Sequence, residues 1–311
     1  MINWIKRHQR LLGNVLIAIA LGWLVAILWK DFNSIWEHRP EFDAENVLIA
    51  CIFAVTSLFL LAYVYLLTLQ RLIDTRLHLT QIIFPFFIGQ VAKYLPGRIW
   101  SILIQAQRMS PIVPAACTWF ANAELILYSN LITILVATLL YLFTHGWHYA
   151  AFFAYTLVFA ILFVAIKDGW LYQMLKYMTS RFTQMDSLKE PSRSVAKSLG
   201  ILVFFQIEWL FYMLVWVALL WSDYSIGEAC ILAVIYIAAW MVGFLTFIVP
   251  SGIVVREAMF VWLGVMLGFE PVILVIYGVV ARILFVVADL LAAFIGFVLE
   301  RYGNRVSRHH G

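Results

Sequence analysis

Eight ionisable side chains fall inside stretches of this chain that are otherwise apolar. The cations are Lys93, Arg98, Arg256 and Arg282; the anions are Glu124, Glu208, Glu257 and Asp289. Each charge held at the middle of a bilayer costs about 2.5–3.5 kcal/mol on insertion scales, so eight unpaired charges would cost roughly 20–28 kcal/mol. That exceeds the ~5–15 kcal/mol that stabilises a typical domain. Such groups must therefore pair, face water or reach the interface. Four against four permits a neutral buried network, Glu124, Glu208, Arg282 and Asp289 among its members. The chemistry open to such a set is charge balance, proton carriage and the binding of an anion.

Half of these charges cluster at two interruptions. One reads Lys93-Tyr94-Leu95-Pro96-Gly97-Arg98; the other is Pro250-Ser251-Gly252, followed by Arg256-Glu257. Proline and glycine do not suit a lipid-facing helix. Backbone broken at membrane depth is tolerated where it lines a cavity or is buried in protein. Half-helix ends also aim unpaired amides or carbonyls at a bound group. Lys93, Arg98 and Arg256 beside such ends suit a phosphate. The competing expectation is that the charges only glue helices together as ion pairs.

Spacing restricts who can pair with whom. Arg282 and Asp289 share a face but sit about 10 Å apart along a helix axis, so each is expected to find a partner on another helix. Arg256 and Glu257 are neighbours that project about 100° apart and are likewise expected to reach different partners. Gln90, one turn before Lys93, shares its face, and Asn122, Asn130 and Gln206 accompany the acids. Polar residues in membrane helices often serve only as interhelical hydrogen bonds.

The elements that carry these residues follow from composition. Of 311 residues, 64% are hydrophobic and 12% charged, with a mean hydropathy of +0.93. Soluble domains carry about 25% charged residues, so a water-exposed surface is excluded. Continuous apolar runs such as Leu16–Trp29, Val47–Leu69 and Ala229–Val249 exclude the alternating pattern of a β-barrel. The expected fold is all-α: a single polytopic transmembrane bundle over residues 1–311, with six to eight full spans. Predicted spans lie at about 11–29, 46–69, 113–143, 149–166, 198–221, 229–249, 251–267 and 272–299. The first is expected to be retained rather than cleaved, because apolar residues run on past Ala18 and Ala20 to Trp29. Residues 167–197 form a loop with an interfacial helix around Trp170–Phe182.

Charge parity orients the chain. If 81–107 is re-entrant and returns to its own side, fifteen of the 21 Lys and Arg face the cytoplasm and only Lys30 and Arg39 lie outside. If it crosses, five lie inside and twelve outside. The positive-inside rule selects the first arrangement, with both termini and the 167–197 loop cytoplasmic. The second broken segment, 229–267, returns the chain to the same side whether it crosses twice or is re-entrant, so both remain open. The net charge of +4 is read as cytoplasmic loops, not nucleic-acid binding.

Little else suggests chemistry. Cys51, Cys117 and Cys230 lie far apart in apolar runs and read as small core residues. His145 and His148 form a lone pair without further metal ligands, beside Trp147 and Tyr149 of an interfacial aromatic belt. No phosphate loop, Ser-His-Asp set or zinc-protease motif occurs, and neither a metal nor a cofactor is expected.

The two broken stretches carry a resemblance. Lys93–Trp100 resembles the "basic-Tyr-x-Pro-Gly" element of the lysylphosphatidylglycerol synthase transmembrane region family. Pro250–Glu257 resembles that family's Pro-Gly-Gly-x-Gly-x-Arg-Glu element, with Ser251 and Val254 where the family has glycine and Trp100 where it commonly has a small residue. The resemblance implies a flippase-like membrane domain of the cytoplasmic (inner) membrane that moves an anionic phospholipid or lipid-linked glycan precursor for envelope biogenesis. It implies substrate-binding roles for Lys93, Tyr94, Pro96, Gly97, Arg98, Pro250, Gly252, Arg256 and Glu257. The chain runs about ten residues past its last predicted span, so the soluble synthase domain of bifunctional members, and its activity, are not expected. The partners expected are a membrane lipid or lipid-linked sugar; a second copy or an envelope-biosynthesis protein stays open. A membrane glycosyltransferase using Glu41 and Asp43, and a non-transporting assembly subunit, are the competing functions.

Overall fold

The computed structural model describes residues 42–73, 76–94, 99–145, 149–179, 190–245 and 255–309. Among them every regular element is helical: α1 (Ala44–Leu72), α2 (Leu79–Ala92), α3 (Ile99–Met109), α4 (Ala115–His145), α5 (Tyr149–Lys167), α6 (Trp170–Thr179), α7 (Val195–Leu220), α8 (Ile226–Leu245), α9 (Val255–Met266) and α10 (Pro271–His309). The predicted span at 11–29 lies outside the described residues, as do Pro96, Gly97, Arg98, Pro250 and Gly252.

Among the described residues, four helices are long and apolar enough to cross a membrane: α1, α7, α8 over Ile226–Gly243, and α10 over Pro271–Tyr302. At 1.5 Å per residue, α1 is about 44 Å long, more than the ~30 Å hydrocarbon core needs. Besides the ten-residue α6, helices α2, α3 and α9 fall well short of that thickness, at about 21 Å, about 17 Å and about 18 Å. Helix α2 packs against α3, and α8 against α9. Each pair straddles one of the two Pro/Gly interruptions.

The helix starts are written in local chemistry. The Asp43 carboxylate accepts the Glu45 N–H at 3.0 Å and opens α1, as an N-cap does. Ser225 and Glu228 form a reciprocal pair at the start of α8: the Ser225 N–H donates to Glu228 Oε2 at 2.9 Å, and the Glu228 N–H donates to Ser225 Oγ at 3.4 Å. This is the S-x-x-E capping box. Helix α9 ends at a turn in which Gly268 has φ +89°, a conformation open to glycine because it has no Cβ.

The chain divides into two compact units, the first built from Met1–Phe53, Tyr94–Arg98 and Met213–Val287, the second from Ala54–Lys93, Ile99–Tyr212 and Ala288–Gly311. The core of the first is aromatic. Trp216, Tyr236 and Phe260 are fully buried, with ring centroids 4.3 Å (Trp216–Tyr236), 5.0 Å (Trp216–Phe260) and 5.4 Å (Tyr236–Phe260) apart. In the second unit Phe86 lies 5.0 Å from Tyr65, and Phe87 lies 5.0 Å from Phe59, centroid to centroid. Gly296 lets α10 approach α2, since a Cβ there would stand 3.0 Å from Phe87 Cδ2 and 3.3 Å from Phe84 Cα.

Large apolar side chains also face outward. Ile283, Val287, Leu290, Phe294 and Val298 are all exposed along α10, on one stripe of helical period. An exposed apolar face of that length suits hydrocarbon rather than water. Helix α10 also continues past the predicted end at 299 as far as His309. The last turns are polar, so hydropathy alone did not register them. Helix α6 occupies the predicted interfacial stretch, with Leu171 and Tyr172 buried and Trp170 and Met174 exposed.

Candidate functional site

In the first unit the start of α9 carries Arg256 and Glu257, and α10 carries Arg282. Glu257 Oε1 lies 2.9 Å from Arg256 Nη2, 3.3 Å from Arg256 Nε and 3.8 Å from Arg282 Nη1. One carboxylate thus serves two guanidiniums, and the three side chains together carry a positive formal charge. They are mostly enclosed, with side-chain exposures of 10%, 13% and 20% for Arg256, Glu257 and Arg282. Each guanidinium also lies over a tyrosine: Arg256 at 4.7 Å from the Tyr236 ring and Arg282 at 5.6 Å from the Tyr94 ring. Cation–π contact of this kind contributes about 0.5–2 kcal/mol.

Tyr94 belongs to the first broken stretch and Arg256 and Glu257 to the second. The contacts Tyr94–Arg282–Glu257–Arg256 therefore join the two sequence motifs in one cluster of this unit. The expected separation of Arg256 from Glu257 is corrected here. Their Cα–Cβ bonds diverge, but the arginine stem is long enough to curl across that angle and close an ion pair with its neighbour. Glu257 also sits in the first turn of α9, where the helix dipole favours an anion.

The second unit holds the other charges. Lys93 Nζ lies 2.8 Å and 3.1 Å from the two oxygens of Asp289. Arg282 and Asp289 accordingly take different partners, as their seven-residue spacing predicts. Glu124, fully buried, faces Arg71 Nη1 at 3.7 Å. Arg71, two residues past the predicted span at 46–69, is buried at the end of α1, donating to the carbonyl oxygen of Ile166 and, at 3.5 Å, to that of Ser192. The helix runs on to Leu72, past the apolar run that ends at 69, and so carries Arg71 against the carbonyls that bury it. Glu208 also departs from the expected charge network. Its Oε1 accepts from Ser57 Oγ at 2.9 Å, and no cation among the described residues stands within ion-pair distance of it.

The polar companions are tied internally. Asn122 Nδ2 donates to Gln105 Oε1 at 2.9 Å, Tyr155 donates to Gln206 Oε1 at 2.5 Å, and Asn130 Nδ2 donates to the carbonyl of Ile126 in its own helix at 2.6 Å. Of the acidic pair considered for a glycosyltransferase, Asp43 caps α1 and Glu41 lies outside the described residues. At the α7–α8 turn, burial and then the carboxylates of Asp223, Glu270 and Glu228 push the Tyr224 phenol up to about 12, so it stays neutral at ordinary pH. Among the described residues no three His, Cys, Asp or Glu side chains converge on a metal-binding geometry.

Among the described residues, architecture and site together define an all-helical protein with four helices suited to cross a membrane and a cationic, tyrosine-walled cluster to which both interrupted stretches contribute. Comparison with protein-family models, with curated proteins and with solved structures gives no match.

Proposed function

We propose that this chain is an integral membrane protein of the flippase type, which moves a lipid with an anionic headgroup between leaflets, and that Arg256, Glu257 and Arg282 with Tyr94 and Tyr236 form its headgroup site. The observation that carries this reading is one carboxylate shared between two guanidiniums, each backed by an aromatic ring. A planar guanidinium offers parallel N–H donors that match phosphate oxygens. Glu257 holds both cations in place and offsets part of their charge, leaving a surplus that an anionic headgroup would neutralise.

The short helices support the rest of the reading. Helices α2, α3 and α9 are shorter than the hydrocarbon core, which suits segments that enter and return rather than cross. With α2–α3 re-entrant from the cytoplasmic side, the chain has six to eight crossings, both termini inside, and residence in the cytoplasmic membrane. The resemblance of Lys93–Trp100 and Pro250–Glu257 to the lysylphosphatidylglycerol synthase transmembrane region points the same way. Lipid-linked glycan precursors share the phosphate chemistry and belong to the same substrate class.

The test is translocation of a headgroup-labelled phosphatidylglycerol in proteoliposomes. Arg256→Gln and Arg282→Gln are each expected to slow it at least tenfold while Lys30→Gln leaves it intact. Unchanged rates in both arginine variants would remove the assignment.

A further inference from the structure

Of the four acids embedded in apolar helices, three have cations beside them: Glu124 has Arg71, Asp289 has Lys93, and Glu257 has Arg256 and Arg282. Glu208 has a serine. Its side chain is buried on α7, Ser57 of α1 is the polar group that meets it, and its Oε2 is buried without a hydrogen-bond partner. Neighbouring polarity on its own helix is already committed, because Gln206 accepts from Tyr155. No Lys, Arg, His, Asp or other Glu among the described residues reaches it. An ionised carboxylate so placed would be a full charge in an apolar surround with one hydroxyl to stabilise it, which is far costlier than a neutral carboxyl with one unmatched oxygen.

We infer that Glu208 is a proton-binding site, occupied by a proton in the state this structure shows, and that release of this proton to water accompanies a conformational step of the protein. The ligand is a proton rather than a metal cation: one carboxyl and one hydroxyl are too few oxygens for calcium or magnesium, which take six or more. Ser57 sets the geometry, donating to Oε1 so that the proton resides on Oε2. The site lies wholly within the second unit and needs no substrate to form. It rests on the transport reading only for what the proton drives: an imposed pH gradient would then bias translocation.

Two measurements on the full chain in lipid vesicles test this. First, infrared spectroscopy of the wild type at pH 7 should show a protonated-carboxyl C=O band that is missing in Glu208→Gln and present in Glu124→Gln. Dicyclohexylcarbodiimide, which modifies neutral carboxyls in apolar surroundings, should label Glu208 of the wild-type protein, as read by peptide mass spectrometry. This labelling guards against a variant that fails to fold. Absence of both the band and the label would overturn proton occupancy. Second, a pH gradient should change the rate of phosphatidylglycerol translocation severalfold in the wild type and not in Glu208→Gln. Equal responses in the two proteins would overturn the coupling while leaving the headgroup site standing. A band and label at Glu208 with no translocation in any protein would instead sink the transport reading alone.

Discussion

Residue by residue, the buried charges follow two arrangements with different energetics. The Arg71–Glu124 pair is fully enclosed, and breaking such a pair by removing one partner costs about 3–5 kcal/mol because the survivor is left unpaired. Arg71→Met is therefore expected to lower stability by that amount. The double variant Arg71→Met with Glu124→Gln should recover the part due to the stranded carboxylate, since both charges are then gone, but not the hydrogen bonds Arg71 makes to the carbonyls of Ile166 and Ser192. Thermal unfolding of the single and double variants in detergent measures this, and a double variant as unstable as the sum of the singles would show that no such coupling exists. Glu257 sits in a more open setting, so solvent discounts the same penalty. Glu257→Gln should cost about 1–3 kcal/mol, read as a lowered unfolding temperature, and should loosen the placement of both arginines. The charged residues themselves were legible in the sequence as outliers in apolar runs. Their partners were not, because a contact such as Lys93–Asp289 joins positions far apart in the chain and no spacing rule encodes it.

Among the elements, close approach depends on a few small residues. In α2, Gly89 stands against Gln105 of α3, where an added Cβ would come within 2.6 Å of the Gln105 Cγ. Gln105 cannot simply swing aside, since its Oε1 holds Asn122 of α4. Gly89→Ala should thus overpack the α2–α3 hairpin and cost about 1–3 kcal/mol. Adding Gln105→Ser should restore part of the unfolding temperature by clearing the space; a Gly89→Ala protein with wild-type stability would contradict the contact. The existence of most helices was readable from continuous apolar runs: α4, α5 and α7 begin and end within a few residues of their predicted bounds. The break between α2 and α3 was readable from Pro96 and Gly97. The polar continuation of α10 was not, because hydropathy registers lipid contact and not helicity. Nor was the burial of Arg71, which depends on carbonyls brought in from Ile166 and from the residues before α7.

For the whole molecule, the proposed orientation makes the two ends of α7 face opposite sides of the membrane. Glu190, exposed ahead of α7, should be cytoplasmic, and Gly227, where a new Cβ meets nothing within 4 Å, should be external. With the native cysteines replaced, Glu190→Cys should react with a membrane-impermeant maleimide only in inverted vesicles and Gly227→Cys only in intact cells. Labelling of both from one side would exclude α7 as a crossing. Composition already pointed to helices suited to a membrane; what composition could not supply was the meeting of the two interrupted stretches, which rests on Tyr94, Arg282, Glu257 and Arg256 in one cluster.

That cluster as a receptor for an anionic headgroup is tested most directly by lipid binding to the purified protein, comparing phosphatidylglycerol with phosphatidylcholine by native mass spectrometry. A hydrogen bond to a charged group contributes about 1.5–3 kcal/mol, so the wild type should prefer the anionic lipid by about tenfold or more, and the Arg256→Gln, Arg282→Gln double variant should lose that preference. Equal retention of both lipids by the wild type, or an undiminished preference in the double variant, would contradict a headgroup site at these arginines.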